Sequence, residues 1–154
     1  MKALRDTLAS DSGQALIETA LCMPVLALFL AGAIDLGRFA QFDMTLASAA
    51  HAGAQYGSQN TTTAASISGM ESAATADSST VTATATSYYK CADGSQPSAS
   101  PSLTMAGTAS TTCSANHLLL YVSVTTTATF TPLFLFFMRG NGPYSHTTFM
   151  QVVT

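Results

Sequence analysis

The chain has 154 residues, a net charge of −3 and only 8% charged residues, five Lys+Arg against eight Asp+Glu. Ordinary soluble domains carry roughly 25% charge, and five basic residues cannot build a patch that neutralises a run of phosphates, so nucleic acid is not an expected partner. The length allows one domain, or one small domain plus a membrane segment.

Residues 1–13 are polar and include Lys2, Arg5, Asp6 and Asp11. From Gln14 to Ile34 the only charge is Glu18. At 1.5 Å per residue this run makes a helix of about 32 Å, enough for a hydrocarbon core of about 30 Å. Asp35 and Arg38 end the run. Lys2 and Arg5 precede it and Arg38 follows, which favours a cytoplasmic N-terminus with the rest of the chain outside.

Helical periodicity continues beyond the apolar run. Leu36, Phe39, Ala40, Met44, Ala47, Ala50 and Ala54 recur at helical steps and predict a narrow, Ala-rich packing stripe. Small residues on such a stripe let a neighbouring helix approach closely. One helix is predicted over 14–56, with Gly57 as its C-cap. Pro24 lies inside it and lacks the N–H that an α-helix uses, so a bend or an open hydrogen bond is expected there.

The pattern then changes. Residues 61–77 predict a short helix. Residues 80–88 alternate Val and Ala with Thr and predict a strand. Residues 90–115 are rich in Ser, Pro and Gly and read as a long connection. Residues 117–131 carry the strongest strand signal, limited by Pro132. The apolar run Leu133–Met138 is too short to span a bilayer and is expected in the sheet core, with a subunit or membrane-surface contact as the alternative. Asn141-Gly142 is a hairpin signal, and 145–153 reads as a closing strand. The fold class is α+β: a long N-terminal membrane-spanning helix continuing into an exposed small domain. That domain has a short helix and a sheet of three or four antiparallel strands.

Little in the chain suggests catalysis. There is no G-x-S-x-G, H-E-x-x-H, P-loop or dinucleotide fingerprint, and the acidic residues are scattered, so an enzyme is not expected. His51, His117 and His146 and the three cysteines lack metal-ligand spacing, and no cofactor is implied. Cys22 reads as a small apolar residue within the membrane run. Cys91 and Cys113 sit among loop-forming residues; in an exported domain they would pair, and in a cytosolic protein they would stay reduced. A binding role for the loop 90–116 is the main alternative to a purely structural chain.

The informative stretch is Gly13-Gln14-Ala15-Leu16-Ile17-Glu18, with Pro24 six residues further on. A carboxylate near the start of a membrane helix is expensive and needs a partner. If the chain were cut after Gly13, Gln14 would become a free α-amine that could neutralise Glu18, within one chain or between neighbouring helices. This arrangement resembles the class III signal sequences of type IV pilin-like proteins. The longer pattern G-x4-E-x5-P, followed by Gly32-Ala-Ile-Asp-Leu-Gly-Arg38 and the small-residue run Ala49–Ala54, looks like the TadE-like family. Val122–Thr125 and Phe130–Leu133 also look like that family's terminal strand region. The resemblance implies a minor pilin or pseudopilin of the tight adherence (Tad/Flp) system. Flp-type pilins commonly carry an aromatic after the Glu, whereas Thr19 stands here, and this favours a minor subunit over the major fibre subunit.

The resemblance further implies cleavage between Gly13 and Gln14 by a prepilin peptidase on the cytoplasmic side. Residues 1–13 would be a cytoplasmic leader, 14–57 the transmembrane and assembly helix, and 58–154 an extracytoplasmic α+β domain. Glu18, Pro24, Asp35 and Arg38 would serve assembly and registration. The expected partners are the membrane, other pilin-like subunits and the peptidase, in an oligomeric or filament-associated state. The expected place is the bacterial inner membrane, crossed once, with the C-terminal domain in the periplasm or on the pilus or cell surface. Two plainer alternatives stand beside this. One is a single-pass anchored binding protein in which Glu18 snorkels to the interface. The other is a secreted protein cut near Ala31-Gly32-Ala33. Asp35 and Arg38 have their own plain reading, an i,i+3 ion pair at the membrane edge.

Overall fold

Good helix formers such as Gln14, Ala15, Leu16 and Glu18 onward, with Gly and Pro spaced widely, support one long helix, and alternation beyond residue 81 supports strands. The computed structural model describes residues 11–92, 118–134 and 142–153. Its elements are α1 (Asp11–Ser58), α2 (Thr61–Ala65), α3 (Ile67–Asp77), β1 (Thr82–Cys91), β2 (Leu118–Phe130) and β3 (Gly142–Gln151). The fold is α+β, as expected. The chain forms two compact units: Met1–Phe39 with Pro132–Gly140, and Ala40–Thr131 with Asn141–Thr154.

The second unit is built around a three-stranded sheet of order β1-β2-β3, antiparallel throughout. The even-numbered residues of β2 face its core: Leu120, Val122, Val124, Thr126 and Phe130 are buried. Leu120, Val122 and Val124 cluster with Ala54 of α1, Met70 and Ala74 of α3, Ala85 and Tyr89 of β1, and Val152. A second cluster joins Leu46, Ala49 and Val81 with Phe42, Ala128 and Tyr144. The Phe42 ring lies 5.3 Å from that of Phe130 and meets Tyr144 edge-on at 6.0 Å. The opposite sheet face is a hydroxyl ladder: Thr82, Thr84 and Thr86 of β1 stand across from Thr127, Thr125 and Ser123 of β2. The Thr125 and Thr147 hydroxyls are 2.9 Å apart. Hydroxyls therefore supply the polarity of a strand that carries no charged side chain.

The packing stripe of α1 in this unit runs through Phe42, Leu46, Ala49, Ala50, Gly53, Ala54 and Gly57. This corrects the sequence expectation. Ala50 and Ala54 lie on the stripe, but Leu36, Ala40 and Met44 are exposed, with Met44 69% exposed. Gly57 is not the C-cap, since α1 continues through it to Ser58. Its role is close approach. A Cβ at Gly57 would overlap the Met70 side chain, and one at Gly53 would lie 2.8 Å from the Met70 carbonyl oxygen and 3.1 Å from Ala74 Cβ.

The other differences have local causes. The helix expected over 61–77 is two helices. Asn60 caps α2 reciprocally, its Oδ1 accepting the Thr63 N–H at 2.9 Å while Thr63 Oγ1 accepts the Asn60 N–H at 3.1 Å. Ser66 then donates to the Thr63 carbonyl in a tighter turn before α3 starts. Strand β1 runs to Cys91 instead of stopping at 88, because pairing with β2 continues to Cys91↔Leu118. Gly142 of the Asn141-Gly142 signal pairs with Phe130 inside the sheet, and Asn141 lies outside the described residues. β3 accordingly starts at Gly142 rather than at 145 and ends at Gln151.

Candidate functional site

The first unit contains the apolar run. Leu16, Ile17, Leu21, Met23, Leu26, Phe29 and Leu30 are all exposed on α1. The helix is long and apolar enough to cross a membrane. A continuous α-helix pairs its backbone N–H and C=O groups within itself, apart from the Ala20 carbonyl that Pro24 leaves without a donor, and such pairing is what a lipid environment demands.

Glu18 is exposed on this helix, and among the described residues it forms no ion pair. Its neighbour Thr19 folds its hydroxyl back onto the Ala15 carbonyl at 2.8 Å, so that side chain is satisfied locally. Gly13 and Gln14 are helical, and a Cβ at Gly13 would meet nothing within 4 Å. Pro24 lies inside the continuous helix. Gly13, Gln14, Glu18 and Pro24 are thus set along one helix, all accessible. Cys22 is a free, exposed cysteine.

Asp35 behaves differently. It is 1% exposed, in a unit where its helical neighbours are mostly open. Its Oδ1 accepts the Leu133 N–H at 3.0 Å and its Oδ2 accepts the Phe134 N–H at 2.7 Å. Arg38 reaches Oδ1 at 3.3 Å from one turn along the helix. Each carboxylate oxygen therefore holds one of two successive backbone donors. Those donors are free because β2 ends at Phe130 and Pro132 has no N–H to extend the sheet.

This arrangement overturns one expectation. Leu133 and Phe134 are not sheet core. They are 63% and 44% exposed, beyond the end of β2; residues 135–138 lie outside the described residues. The Asp35–Arg38 pair exists, but its acidic member mainly tethers a segment 98 positions away. Sequence reasoning missed Leu133 and Phe134 as its partners, because the contact uses backbone N–H groups, which have no side-chain signature. The available signal was a Pro followed by an apolar run without strand alternation.

In the second unit, Cys91 ends β1 opposite Leu118, is 3% exposed and is disulfide-bonded. Its expected partner Cys113 lies outside the described residues, as does most of the 90–116 loop. The described start of that loop borders a depression of about 400 Å³ lined by Tyr88, Lys90, Tyr121 and Phe149. Tyr88 stacks on Tyr121 across the strands at 6.0 Å. Among the described residues no group of three His, Cys, Asp or Glu side chains is placed to hold a metal ion.

No curated protein and no solved structure matches the chain. The model of the family described as TadE-like protein matches residues 13–55, the segment that holds Glu18, Pro24, Asp35 and Arg38. Over that segment the chain is similar to the TadE-like family, a likeness that implies association with the Tad pilus.

Proposed function

We propose that this protein is a minor, pilin-like subunit of a Tad/Flp-type pilus or secretion apparatus. A prepilin peptidase cuts it after Gly13, and it assembles through its N-terminal helix. The observation that carries the reading is the exposed apolar helix bearing an accessible Glu18 five residues beyond Gly13, within the TadE-like segment. Cleavage places an α-ammonium on Gln14, four residues from Glu18 and therefore on the same helix face. In a bundle of such helices, the amine of one chain and the carboxylate of the next offer each other the partner that Glu18 otherwise lacks in lipid. The helix sits in the inner membrane with its N-terminus in the cytoplasm, and the sheet domain lies outside. Disulfide bonding of Cys91 supports the external placement, because disulfides persist in oxidising compartments. We take Cys113 as its partner, and non-reducing peptide mapping should recover the two in one linked fragment.

The mature N-terminus tests the reading. Mass spectrometry should find Gln14 first. An N-terminus at Ile34 means a secreted protein, and an intact Met1 means a plain single-pass anchor. Glu18→Ala should insert in the membrane normally but co-purify with less of its partner pilins; unchanged co-purification removes the registration role.

A further inference from the structure

The clamp at Asp35 fixes Leu133 and Phe134 at a defined level of the apolar helix. Asp35 is the first charge after the run that ends at Ile34. In a membrane-inserted helix that position lies where hydrocarbon gives way to headgroups. The backbone N–H groups of Leu133 and Phe134 are bonded to that carboxylate at 3.0 and 2.7 Å, so both residues are held at the same depth. Neither side chain belongs to a buried cluster, and both are exposed. Their backbone N–H groups are satisfied by Asp35, which removes part of the cost of placing non-helical chain at a membrane interface. A Leu-Phe pair with satisfied N–H groups, tethered at the end of a membrane span, matches what the interface accepts: apolar and aromatic side chains on a locally hydrogen-bonded backbone.

We infer that Leu133 and Phe134 form a second membrane contact, an interfacial wedge seated in the external leaflet and positioned by Asp35. The partner is the lipid surface itself. The inference rests on the reading of α1 as a membrane anchor. The wedge makes the protein grip the bilayer at two points, the helix and a return of the chain from the end of β2.

The sequence contains no Trp, so single Trp substitutions report position without background. The full-length protein is reconstituted in phosphatidylcholine vesicles containing lipids brominated either near the headgroup or near the chain end. Phe29→Trp, on the helix, reports whether the anchor is inserted. Phe134→Trp should emit at blue-shifted wavelengths and lose emission most strongly to the bromine nearer the headgroup. Adding Asp35→Ala to Phe134→Trp should shift emission to the red and reduce quenching, while Phe29→Trp stays quenched in the same Asp35→Ala background. If Phe29→Trp is quenched and Phe134→Trp is not, the wedge is wrong and the anchor stands. If neither is quenched, the anchor reading itself has failed and takes the wedge with it. If Phe134→Trp is quenched equally with and without Asp35, positioning by Asp35 is overturned.

Discussion

Helix α1 contributes to both compact units, and its two portions follow different rules. In the first unit, large side chains such as Leu21, Leu26, Phe29 and Leu30 are open on every side. In the second, Leu46, Ala49, Ala50 and Ala54 are fully buried, and Gly53 and Gly57 let α3 approach closely. The acidic residues divide similarly. Glu18 has no ion-pair partner among the described residues, whereas Asp35 has three donors. A helix that is open along its first portion and buried along its second is folded by the second and left available by the first. Variation in 16–36 should therefore be felt in assembly and membrane behaviour, and variation in 42–57 in stability.

The largest contrast pairs two leucines ten positions apart. Leu46→Ala removes a fully buried side chain from the cluster with Ala49 and Val81, and should cost about 2–5 kcal/mol. Leu36→Ala, at a side chain 62% exposed, should stay within about 0.5 kcal/mol. Chemical denaturation of the protein in mild detergent, followed by circular dichroism of the sheet, compares them; equal costs would erase the division. The glycines give the next contrast. Gly53→Ala presses a methyl onto the Met70 backbone oxygen, which cannot move like the end of a flexible side chain, and should destabilise by about 1–3 kcal/mol. Gly37→Ala meets nothing within 4 Å and should be neutral or stabilising by up to about 1 kcal/mol through helix propensity. A smaller effect is expected at Thr126, whose buried hydroxyl donates to the Leu46 carbonyl at 2.8 Å. Thr126→Val should cost about 1 kcal/mol, read as a shift of the denaturation midpoint without a change in slope.

How much of this was legible in the sequence follows the same division. The apolar run, its length and the Gly13–Glu18 spacing are one-dimensional features, and the family match falls on that segment. Strand alternation also depends on near neighbours, so the three strands were found with their ends shifted by a few residues. The rotation of the α1 stripe was not found. Met44 and Leu36 are more apolar than Gly53 and Gly57, but the partner helix needs close approach, which only small residues permit. Hydrophobicity therefore pointed to the wrong side. The position of Leu133 and Phe134 was illegible for a different reason. Their partner is a carboxylate far away in the chain, and what it holds is main chain.

The finest test of the comparison is exchange at the amides that Asp35 holds, because Glu18 offers no equivalent contact. The Leu133 and Phe134 N–H groups each bond one Asp35 oxygen, at 3.0 and 2.7 Å, and Arg38 reaches Oδ1 at 3.3 Å. Hydrogen exchange at these two amides reads the tether directly in detergent-solubilised protein, and both should be protected. Asp35→Asn keeps the size and one acceptor oxygen but carries no charge, so protection at both amides should be lower. Wild-type protection no greater than that of the Asn variant would mean that shape, and not charge, holds the segment, and that the contrast between the two acidic residues of α1 is only one of burial.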